Sequence, residues 1–283
     1  MGDIKTLAVI GAGQMGRGIA QVAAQAGIQV LLLDVDLARA TAGHEKLGKD
    51  LSRLVDKEKI SAADRDAILS KIAPKPDYTC LSAAEFVIEA ATEQLALKTR
   101  ILQDADAAMA RGAILASNTS SLSLTQLAGC TKRPEAVIGM HFMNPVPLMA
   151  LVEIIRALQT SDATYDVTKT LAERLGKTVI SAKDAPGFVV NRMLIPFLNE
   201  ACFVLQEGLA TPEDIDQGAR LGLNHPMGPL ELADLVGLDT CLYITEVLHR
   251  ELGDDKYRPS TLLRNYVAAG WHGRKTGRGF YKY

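Results

Sequence analysis

A histidine and a glutamate in the middle of the chain are the first side chains that could carry out acid–base chemistry. His141 follows the apolar run 137–140 and opens a loop that contains two prolines and an asparagine. Glu153 is the single charge within the strand-like run 151–155. An acid flanked by aliphatic residues needs a partner, because burying an unpaired carboxylate is unfavourable. If this run folds back beside the preceding strand, Glu153 can reach the imidazole of His141.

Such a pair would be a general base and the acid that orients it. The carboxylate would fix the tautomer of His141 and stabilise its imidazolium form, which suits removal of a proton from an alcohol oxygen. Taken alone, the two residues are equally compatible with a histidine that caps a strand and a glutamate that pairs with a basic residue. The acid–base interpretation is strengthened by a predicted nicotinamide-type site in the same half of the chain.

Two further polar residues could contact a substrate. Ser120 lies in the segment 117–121, which follows another apolar run, and hydroxyls at the carboxyl end of a parallel sheet face the ligand crevice. Such a serine- and threonine-rich turn is also a common helix cap, and taken alone the segment favours a cap. Asn191 lies on the first predicted helix after residues 186–187, where its amide could turn toward a cleft or simply face solvent.

The glycine turn near the start of the chain predicts a dinucleotide site. It follows the apolar run 7–10, opens a helix, and consists of Gly11, Gly13 and Gly16 with Gln14 and Met15 between them. The first glycine permits the turn, the second lets a pyrophosphate approach the backbone, and the third allows close helix–strand packing. The helix N-terminus then offers N–H groups to the phosphates.

The acid at the end of the second predicted strand indicates which dinucleotide is bound. Asp34 follows Gly16 by 18 residues, near the offset of about 20 expected for a ribose-binding carboxylate. A carboxylate there accepts hydrogen bonds from the ribose hydroxyls and repels a 2′-phosphate. We therefore predict NAD rather than NADP as the cofactor. An ordinary solvated aspartate after a strand is the alternative.

The chain of 283 residues is long for one core, so we expect two domains. Alternating strands and helices predict an α/β fold, with a Rossmann-type N-terminal domain and a mainly parallel sheet in residues 1–186. Helical periodicity then predicts an all-helical C-terminal domain, residues 187–283. Residues 36–71, 189–207 and a segment beginning at Pro212 are among the predicted helices.

Composition excludes several classes of protein. A net charge of -2 argues against nucleic-acid binding, and five ungrouped histidines with four dispersed cysteines give no support for a metal site. No apolar run approaches the ~18 residues that a membrane-spanning helix needs. The dispersed cysteines favour a reduced, cytoplasmic setting. Residues 1–6 lead straight into a strand, so we expect no signal or transit peptide.

Across most of its length the chain resembles the short, monofunctional 3-hydroxyacyl-CoA dehydrogenases, particularly the bacterial 3-hydroxybutyryl-CoA type. The matching stretches are 9–21 (VIGAGQMGRGIAQ), 116–122 (ASNTSSL), 139–147 (GMHFMNPVP), 151–155 (LVEII), 185–192 (APGFVVNR), 225–231 (HPMGPLE) and 273–281 (GRKTGRGFY). The chain departs from the family at Met143, where many relatives have an aromatic residue, and at 149–150, where a lysine is common. Neither difference touches a residue assigned to catalysis.

The resemblance implies a role for each site residue. It makes His141 the catalytic base, Glu153 its orienting acid, and Ser120 and Asn191 the groups that hydrogen-bond substrate oxygens. Besides the glycine turn, it implies cofactor contacts from Asp34, Glu93, Lys98, Ser120, Asn144 and Lys275. It also implies a homodimer formed through the C-terminal domain, with the active site between the two domains.

The implied reaction interconverts an (S)-3-hydroxyacyl-CoA and a 3-ketoacyl-CoA, with 3-hydroxybutyryl-CoA and acetoacetyl-CoA as the expected pair. The phosphates of CoA need positive charge, and the segment 52–59 supplies the candidates Ser52, Arg53, Lys57 and Lys59. On charge pattern alone, a solvated helix face is the better interpretation of that segment. Two other functions stay open: a dehydrogenase of a free 3-hydroxy acid or sugar acid, and a catalytically silent NAD-binding protein.

Overall fold

The computed structural model describes residues 3–283, which fall into two compact units. The first unit ends at Ala185 and the second is Pro186–Tyr283. Residues 1 and 2, part of the segment 1–6 that was predicted to lead into the first strand, lie outside the described residues.

The first unit is built on one sheet of eight strands, in the order β3-β2-β1-β4-β5-β6-β7-β8. Neighbouring strands are parallel except for the antiparallel pair of β6 and β7, so the predicted, mainly parallel sheet is confirmed. β3 and β8 were not predicted from the sequence. The strands are β1 (Thr6–Ile10), β2 (Gln29–Leu33), β3 (Ile72–Pro74), β4 (Phe86–Glu89), β5 (Ile114–Ser117), β6 (Val137–Phe142), β7 (Leu151–Arg156) and β8 (Thr178–Lys183).

Helices cover the sheet and bury its central strands. Every residue of β4, β5 and β6 is buried, as expected for parallel strands packed on both faces. Short 3₁₀ turns lie at Tyr78–Ala83 and Pro134–Ala136. The α-helices of this unit are α1 (Gln14–Gln25), α2 (Leu37–Asp56), α3 (Ala62–Ser70), α4 (Leu95–Ala108), α5 (Leu124–Gly129) and α6 (Asp162–Arg174).

The predicted helical segment 36–71 is two helices with a break after Asp56, so the helical placement of Lys57 and Lys59 was wrong. The chain leaves the helix through Glu58, whose φ is 55°. The N–H of Lys59 donates to the Leu54 carbonyl (2.9 Å), while the N–H of Glu58 donates to a carbonyl in the last turn of α2. These are the two hydrogen bonds of a Schellman end, which stop a helix by satisfying its last carbonyls.

The second unit is helical, as predicted, and contains only isolated bridges besides its helices. α8 begins at Pro212, where the Thr211 side chain accepts a hydrogen bond from the Asp214 N–H, so the predicted helix start is confirmed. Short 3₁₀ turns lie at Asp255–Tyr257 and Arg274–Thr276. The helices are α7 (Val190–Gln206), α8 (Pro212–Gly222), α9 (Pro229–Val236), α10 (Leu238–Leu252) and α11 (Thr261–Ala268).

A buried aspartate on α9 holds the end of the chain in the second unit. The Asp234 carboxylate, 1% exposed, accepts hydrogen bonds from the N–H groups of Phe280 (3.0 Å) and Tyr281 (2.9 Å) and from the Tyr283 hydroxyl (3.1 Å). A Cβ at Gly279 would lie 1.9 Å from this carboxylate, so the close approach requires glycine there. Burial raises the pKa of Asp234 against the effect of these hydrogen bonds.

A second buried aspartate joins α8 to the start of α9. Asp216, also 1% exposed, accepts hydrogen bonds from the N–H groups of Leu230 (2.8 Å) and Glu231 (2.9 Å). The Tyr281 hydroxyl donates a third hydrogen bond at 2.8 Å. The carboxylate thus satisfies the first N–H groups of α9, which have no partner within their own helix.

Candidate active site

The antiparallel pair of β6 and β7 brings His141 and Glu153 together. The two residues are directly opposite each other in the register, and His141 Nδ1 lies 2.7 Å from Glu153 Oε2. Glu153 is fully buried and His141 is 7% exposed. His141 lies inside β6 rather than in the loop after it, because pairing of Phe142 with Val152 extends the strand beyond its predicted end at Met140.

An asparagine that the sequence analysis did not assign fixes the strand end beside His141. Asn118 follows β5, and its side-chain oxygen accepts a hydrogen bond from the Phe142 N–H at 2.9 Å. Its own N–H donates to the Glu89 carbonyl at 2.7 Å, which ties it to the end of β4. Asn118 thereby links the carboxyl ends of three neighbouring strands at the point where His141 is presented.

The turn that carries Ser120 is organised by a glutamate. Glu93 accepts hydrogen bonds from the Ser120 N–H (2.8 Å) and hydroxyl (3.2 Å), from the Ser121 N–H (3.0 Å) and from the Thr119 hydroxyl. Burial acts to raise the pKa of Glu93, but the charge of Lys98 and these hydrogen bonds outweigh it and hold the pKa below its ordinary value. Glu93 and Ser120, both predicted as site residues, are therefore in direct contact.

A buried ion pair lies beside this turn, and one of its members was missed in the sequence. Lys98, 1% exposed, places its Nζ 2.8 and 3.0 Å from the two carboxylate oxygens of Glu89, which is fully buried at the end of β4. Lys98 Nζ also lies 3.4 Å from Glu93 Oε2. The signal for Glu89 was present in the sequence, because it is a single acid in an apolar run, the same pattern that singled out Glu153.

The glycine turn fits the phosphates of a dinucleotide. Gly11 has a φ of 109°, and a Cβ there would lie 2.7 Å from the Ala90 carbonyl oxygen. A Cβ at Gly16 would lie 1.7 Å from the Gly11 oxygen, so α1 could not approach β1 with any larger residue. Gly13 instead has open space where a Cβ would stand. That space lets a pyrophosphate approach the start of α1, whose first turn contains no acid to repel it.

Asp34 and Asn144 flank this turn. The Asp34 carboxylate accepts hydrogen bonds from the N–H groups of Ala12 (2.7 Å) and Val35 (2.8 Å), which aims it at the glycine turn from the end of β2. The Gln14 side chain donates to the Asn144 side-chain oxygen at 3.0 Å, so two predicted cofactor residues lie in contact. The carboxylate keeps lone pairs that can accept hydrogen bonds from ribose hydroxyls.

A cavity of about 270 Å³ lies among α1, α2 and the loop 144–148. Gln14, Arg17 and Asn144 supply polar groups to its wall, and Leu51 and Val146 supply apolar surface. The cavity therefore joins the predicted cofactor residues to the helix whose end carries Ser52 and Arg53 of the predicted CoA-binding segment.

The remaining predicted site residues lie elsewhere. Ser52 donates its hydroxyl to the Gly48 carbonyl at 2.9 Å, and exposed Arg53 pairs with Asp50 at 3.2 Å. Lys57 and Lys59 are exposed beyond the end of α2.

Asn191 and Lys275 belong to the second unit. Asn191 is half-buried in the first turn of α7, and Lys275 lies in a 3₁₀ turn where it forms an ion pair with Asp239. That pair holds the pKa of Asp239 below its ordinary value although burial acts in the opposite direction.

Within residues 3–283, no helix is both long enough and apolar enough to cross a membrane. Across the same residues, no group of three or more His, Cys, Asp or Glu side chains is placed to hold a metal ion.

Comparison with known proteins assigns both units. Residues 6–185 match the family model of the 3-hydroxyacyl-CoA dehydrogenase NAD binding domain, and residues 187–283 match that of the C-terminal domain. The chain is 50% identical over 280 residues to the 3-hydroxybutyryl-CoA dehydrogenase of Bradyrhizobium diazoefficiens, covering 99% of this chain and 96% of the relative.

More distant and solved relatives agree. The mitochondrial hydroxyacyl-coenzyme A dehydrogenase of Homo sapiens is 41% identical over 287 residues, which cover 99% of this chain and 91% of the relative. The crystal structure of the (S)-3-hydroxybutyryl-CoA dehydrogenase from Ralstonia eutropha superposes with a TM-score of 0.96 at 52% identity, and 99% of each chain is covered.

Proposed function

The chain belongs to the 3-hydroxyacyl-CoA dehydrogenase family, and we propose that it interconverts (S)-3-hydroxybutyryl-CoA and acetoacetyl-CoA with NAD as cofactor. The observation that carries this proposal is the contact of 2.7 Å between His141 and Glu153 in the same sheet as the glycine turn. Relatives at about half identity are named for this four-carbon thioester, which supports the substrate.

His141 acts as the general base in the oxidation. Because Nδ1 faces the Glu153 carboxylate, the imidazole takes the proton of the 3-hydroxyl at Nε2. The buried carboxylate stabilises the imidazolium that forms, and it also fixes the tautomer for the next cycle. NAD, when bound, accepts the hydride that leaves C3 of the substrate. In the reduction, the His141 imidazolium returns the proton to the oxygen of the ketone.

Ser120 and Asn191 hydrogen-bond substrate oxygens and stabilise the charge that develops on them. The hydrogen bond that the Ser120 N–H donates to Glu93 supports this role, because it fixes the position of the serine, whose hydroxyl can turn from Glu93 to the substrate. The glycine turn binds the pyrophosphate and Asp34 binds the adenosine ribose. The cofactor also contacts the other residues that the family resemblance implies, namely Glu93, Lys98, Asn144 and Lys275.

The phosphates of CoA bind the basic segment at the end of α2. Exposure of Arg53, Lys57 and Lys59 supports this role, since their charges are accessible to a ligand. Replacing Arg53 and Lys57 with alanine should raise KM for the CoA thioester more than KM for a pantetheine analogue, which lacks the nucleotide phosphates. Equal changes for the two substrates would contradict a phosphate-binding role.

The active protein is a cytoplasmic homodimer that serves fatty acid metabolism. The second unit exposes large apolar side chains that a partner subunit could cover, and their exposed fractions support dimerisation: Leu209 69%, Leu221 76%, Leu223 61% and Leu235 50%. Light scattering at micromolar concentration should give twice the chain mass of 30.4 kDa. A mass of one chain would contradict the dimer.

One spectrophotometric assay tests the proposed function. NADH oxidation is followed with acetoacetyl-CoA, with acetoacetate and without a substrate. Turnover that requires the thioester supports the proposal, and equal turnover with acetoacetate would point to a dehydrogenase of free 3-hydroxy acids. NADH binding with no turnover of either substrate would indicate a catalytically silent protein. Longer 3-ketoacyl-CoA substrates then measure the preference for acyl length.

A further inference from the structure

Glu89 occupies a central place at the carboxyl edge of the sheet. It is the last residue of β4 and lies opposite Ile10 on β1 and Ser117 on β5. Besides Lys98, its carboxylate accepts hydrogen bonds from the Ala91 N–H (2.6 Å) and the Ser117 hydroxyl (2.6 Å). Apart from Lys98 of α4, the donors to this fully buried carboxylate thus lie at the ends of β4 and β5, between the glycine turn and the turn of Ser120.

Glu89 belongs to a cluster of three charges that do not balance. Lys98 lies between the carboxylates of Glu89 and Glu93, at 2.8 and 3.4 Å, and both Glu89 and Lys98 are shielded from water. Two carboxylates and one ammonium leave one negative charge without compensation inside the cluster. In surroundings of low dielectric constant, such a charge acts over a longer range than it would in water.

The order of the strands tells which half of the cofactor meets this charge. In a doubly wound sheet, a dinucleotide crosses the carboxyl edge with its pyrophosphate at the first glycine turn. Asp34, the ribose-binding acid, follows β2 on one side of β1, so the adenosine half lies on that side. The nicotinamide half then lies on the other side, above the ends of β4 and β5, where Glu89 and Lys98 are found.

We propose that Glu89 is a positioning residue that holds Lys98 and maintains a net negative charge at the nicotinamide end of the site, and that this charge strengthens the binding of NAD⁺ relative to that of NADH. The oxidised nicotinamide ring carries a positive charge, whereas the reduced ring is neutral. The remaining charges of the two cofactors are the same. The inference rests on the proposed function for the location of the cofactor.

The test measures the dissociation constants of NAD⁺, NADH and ADP-ribose by calorimetry, without substrate, for the native chain and for Glu89→Gln. Removing one negative charge should weaken NAD⁺ relative to NADH by roughly three- to tenfold, a size expected for a charge felt across partly shielded surroundings. The affinity for ADP-ribose, which lacks the ring, should change far less. A merely structural role for Glu89 would weaken all three ligands equally, and that result would overturn the proposal.

Two further variants separate charge from packing. Glu89→Asp keeps the charge and should restore the native ratio of the two dissociation constants even if both ligands bind more weakly. Glu85→Gln is the matched control: it removes one charge at the other end of β4, where the exposed carboxylate accepts the N–H groups of Lys5 and Thr6. Glu85→Gln should leave the ratio of the NAD⁺ and NADH dissociation constants unchanged. A shift in this ratio as large as that of Glu89→Gln would overturn the proposal.

Glu93→Gln provides a second removal of charge if Glu89→Gln does not fold. Its side chain is 24% exposed, so the amide is easier to accommodate, and the ratio should shift in the same direction. An unchanged ratio in this variant would overturn the proposal. The chain could fail to turn over acetoacetyl-CoA while Glu89→Gln still shifts the ratio of the NAD⁺ and NADH dissociation constants. That result would count against the proposed substrate and leave this inference standing.

Discussion

Among residues 3–283, each of the two units contains two carboxylates that are at most 1% exposed, but their partners differ. Glu153 and Glu89 in the first unit face ionisable side chains, the imidazole of His141 and the ammonium of Lys98. Asp216 and Asp234 in the second unit face backbone N–H groups and tyrosine hydroxyls. The same functional group is therefore satisfied in two chemically distinct ways within one chain.

The difference separates a role in chemistry from a role in folding. A carboxylate held by neutral donors can only fix the segments that carry those donors. A carboxylate beside an ionisable group also sets the charge of that group and the ease with which its proton moves. We therefore expect changes in the first unit to alter reaction and ligand binding, and changes in the second unit to alter the free energy of unfolding.

The largest effect should follow Glu153→Gln. The amide can still accept a hydrogen bond from His141 but cannot stabilise the imidazolium, so kcat should fall by roughly 10²-fold. The melting temperature and the NADH dissociation constant should stay close to those of the native chain. A large loss of melting temperature with near-normal kcat would make Glu153 resemble the aspartates of the second unit and would break the comparison.

Asp234→Asn should have the next largest effect, and on stability rather than chemistry. The new side-chain NH₂ group would face the N–H groups of Phe280 or Tyr281, and two donors cannot form a hydrogen bond. The free energy of unfolding of the second unit should therefore fall by about 2 kcal/mol. Denaturant unfolding measures this change, while NADH affinity should be unaffected. Asp254→Asn, at an exposed cap in the same unit, is the matched control and should change stability little. Similar losses in both variants would contradict the assignment.

A smaller loss of stability is expected for Tyr281→Phe. This change removes one of three hydrogen bonds to Asp216 and leaves the two backbone donors in place, so the loss should be about 1 kcal/mol. Tyr243→Phe, at a tyrosine that is 38% exposed, serves as the control. If Tyr281→Phe reduced kcat at unchanged stability, the hydrogen bonds to Asp216 would have a part in the reaction.

Lowering the pH should change the contributions of Glu93 and Asp234 to folding stability in opposite directions. The folded pKa of Glu93 lies below its ordinary 4.5, so its contribution to stability is present above that pH and is lost as the pH falls through the folded pKa. Burial raises the folded pKa of Asp234 above its ordinary 3.8, so protonation on acidification favours the folded state. The contribution of Asp234 therefore improves as the pH falls.

Thermal unfolding between about pH 6 and pH 3.5 checks these signs. The difference in melting temperature between the native chain and Glu93→Gln should shrink on acidification, whereas the difference from Asp234→Asn should grow. These changes should be the smallest of the series. Parallel trends in the two variants would contradict the opposite pKa shifts.

Features with a local signature could be predicted from the sequence. The glycine turn, Asp34 and the apolar runs of β1, β2 and β7 have patterns that arise from nearby residues, and the fold class followed from them. The position of His141 inside β6 could not be obtained in this way, because the last residues of that strand are set by pairing with β7. The break in the helical segment 36–71 likewise depends on the Schellman end at Glu58.

The buried network beside Ser120 was the least predictable part of the candidate site. Lysine is rarely buried, so Lys98 on a helix of mixed composition gave no local indication that it would enter the interior. Glu89 carried a signal that went unused, and Asn118 carried none, because its hydrogen bond to Phe142 joins segments that are distant in sequence. The family resemblance supplied Glu93 and Lys98 but not Glu89, the acid that holds Lys98.

The antiparallel turn from β6 to β7 has a consequence for how such enzymes could diversify. Parallel strands need a long crossover, whereas this hairpin keeps its base and its acid in one register through the direct pairing of two consecutive strands. In the loop between Met143 and Ala150, the exposed residues 147–150 can therefore be exchanged without displacing the pair, whereas Asn144 and the buried Val146 have contacts to keep. Directed evolution for new substrates should concentrate on that loop, where substitutions can change the surroundings of the reacting centre while His141 and Glu153 keep their positions.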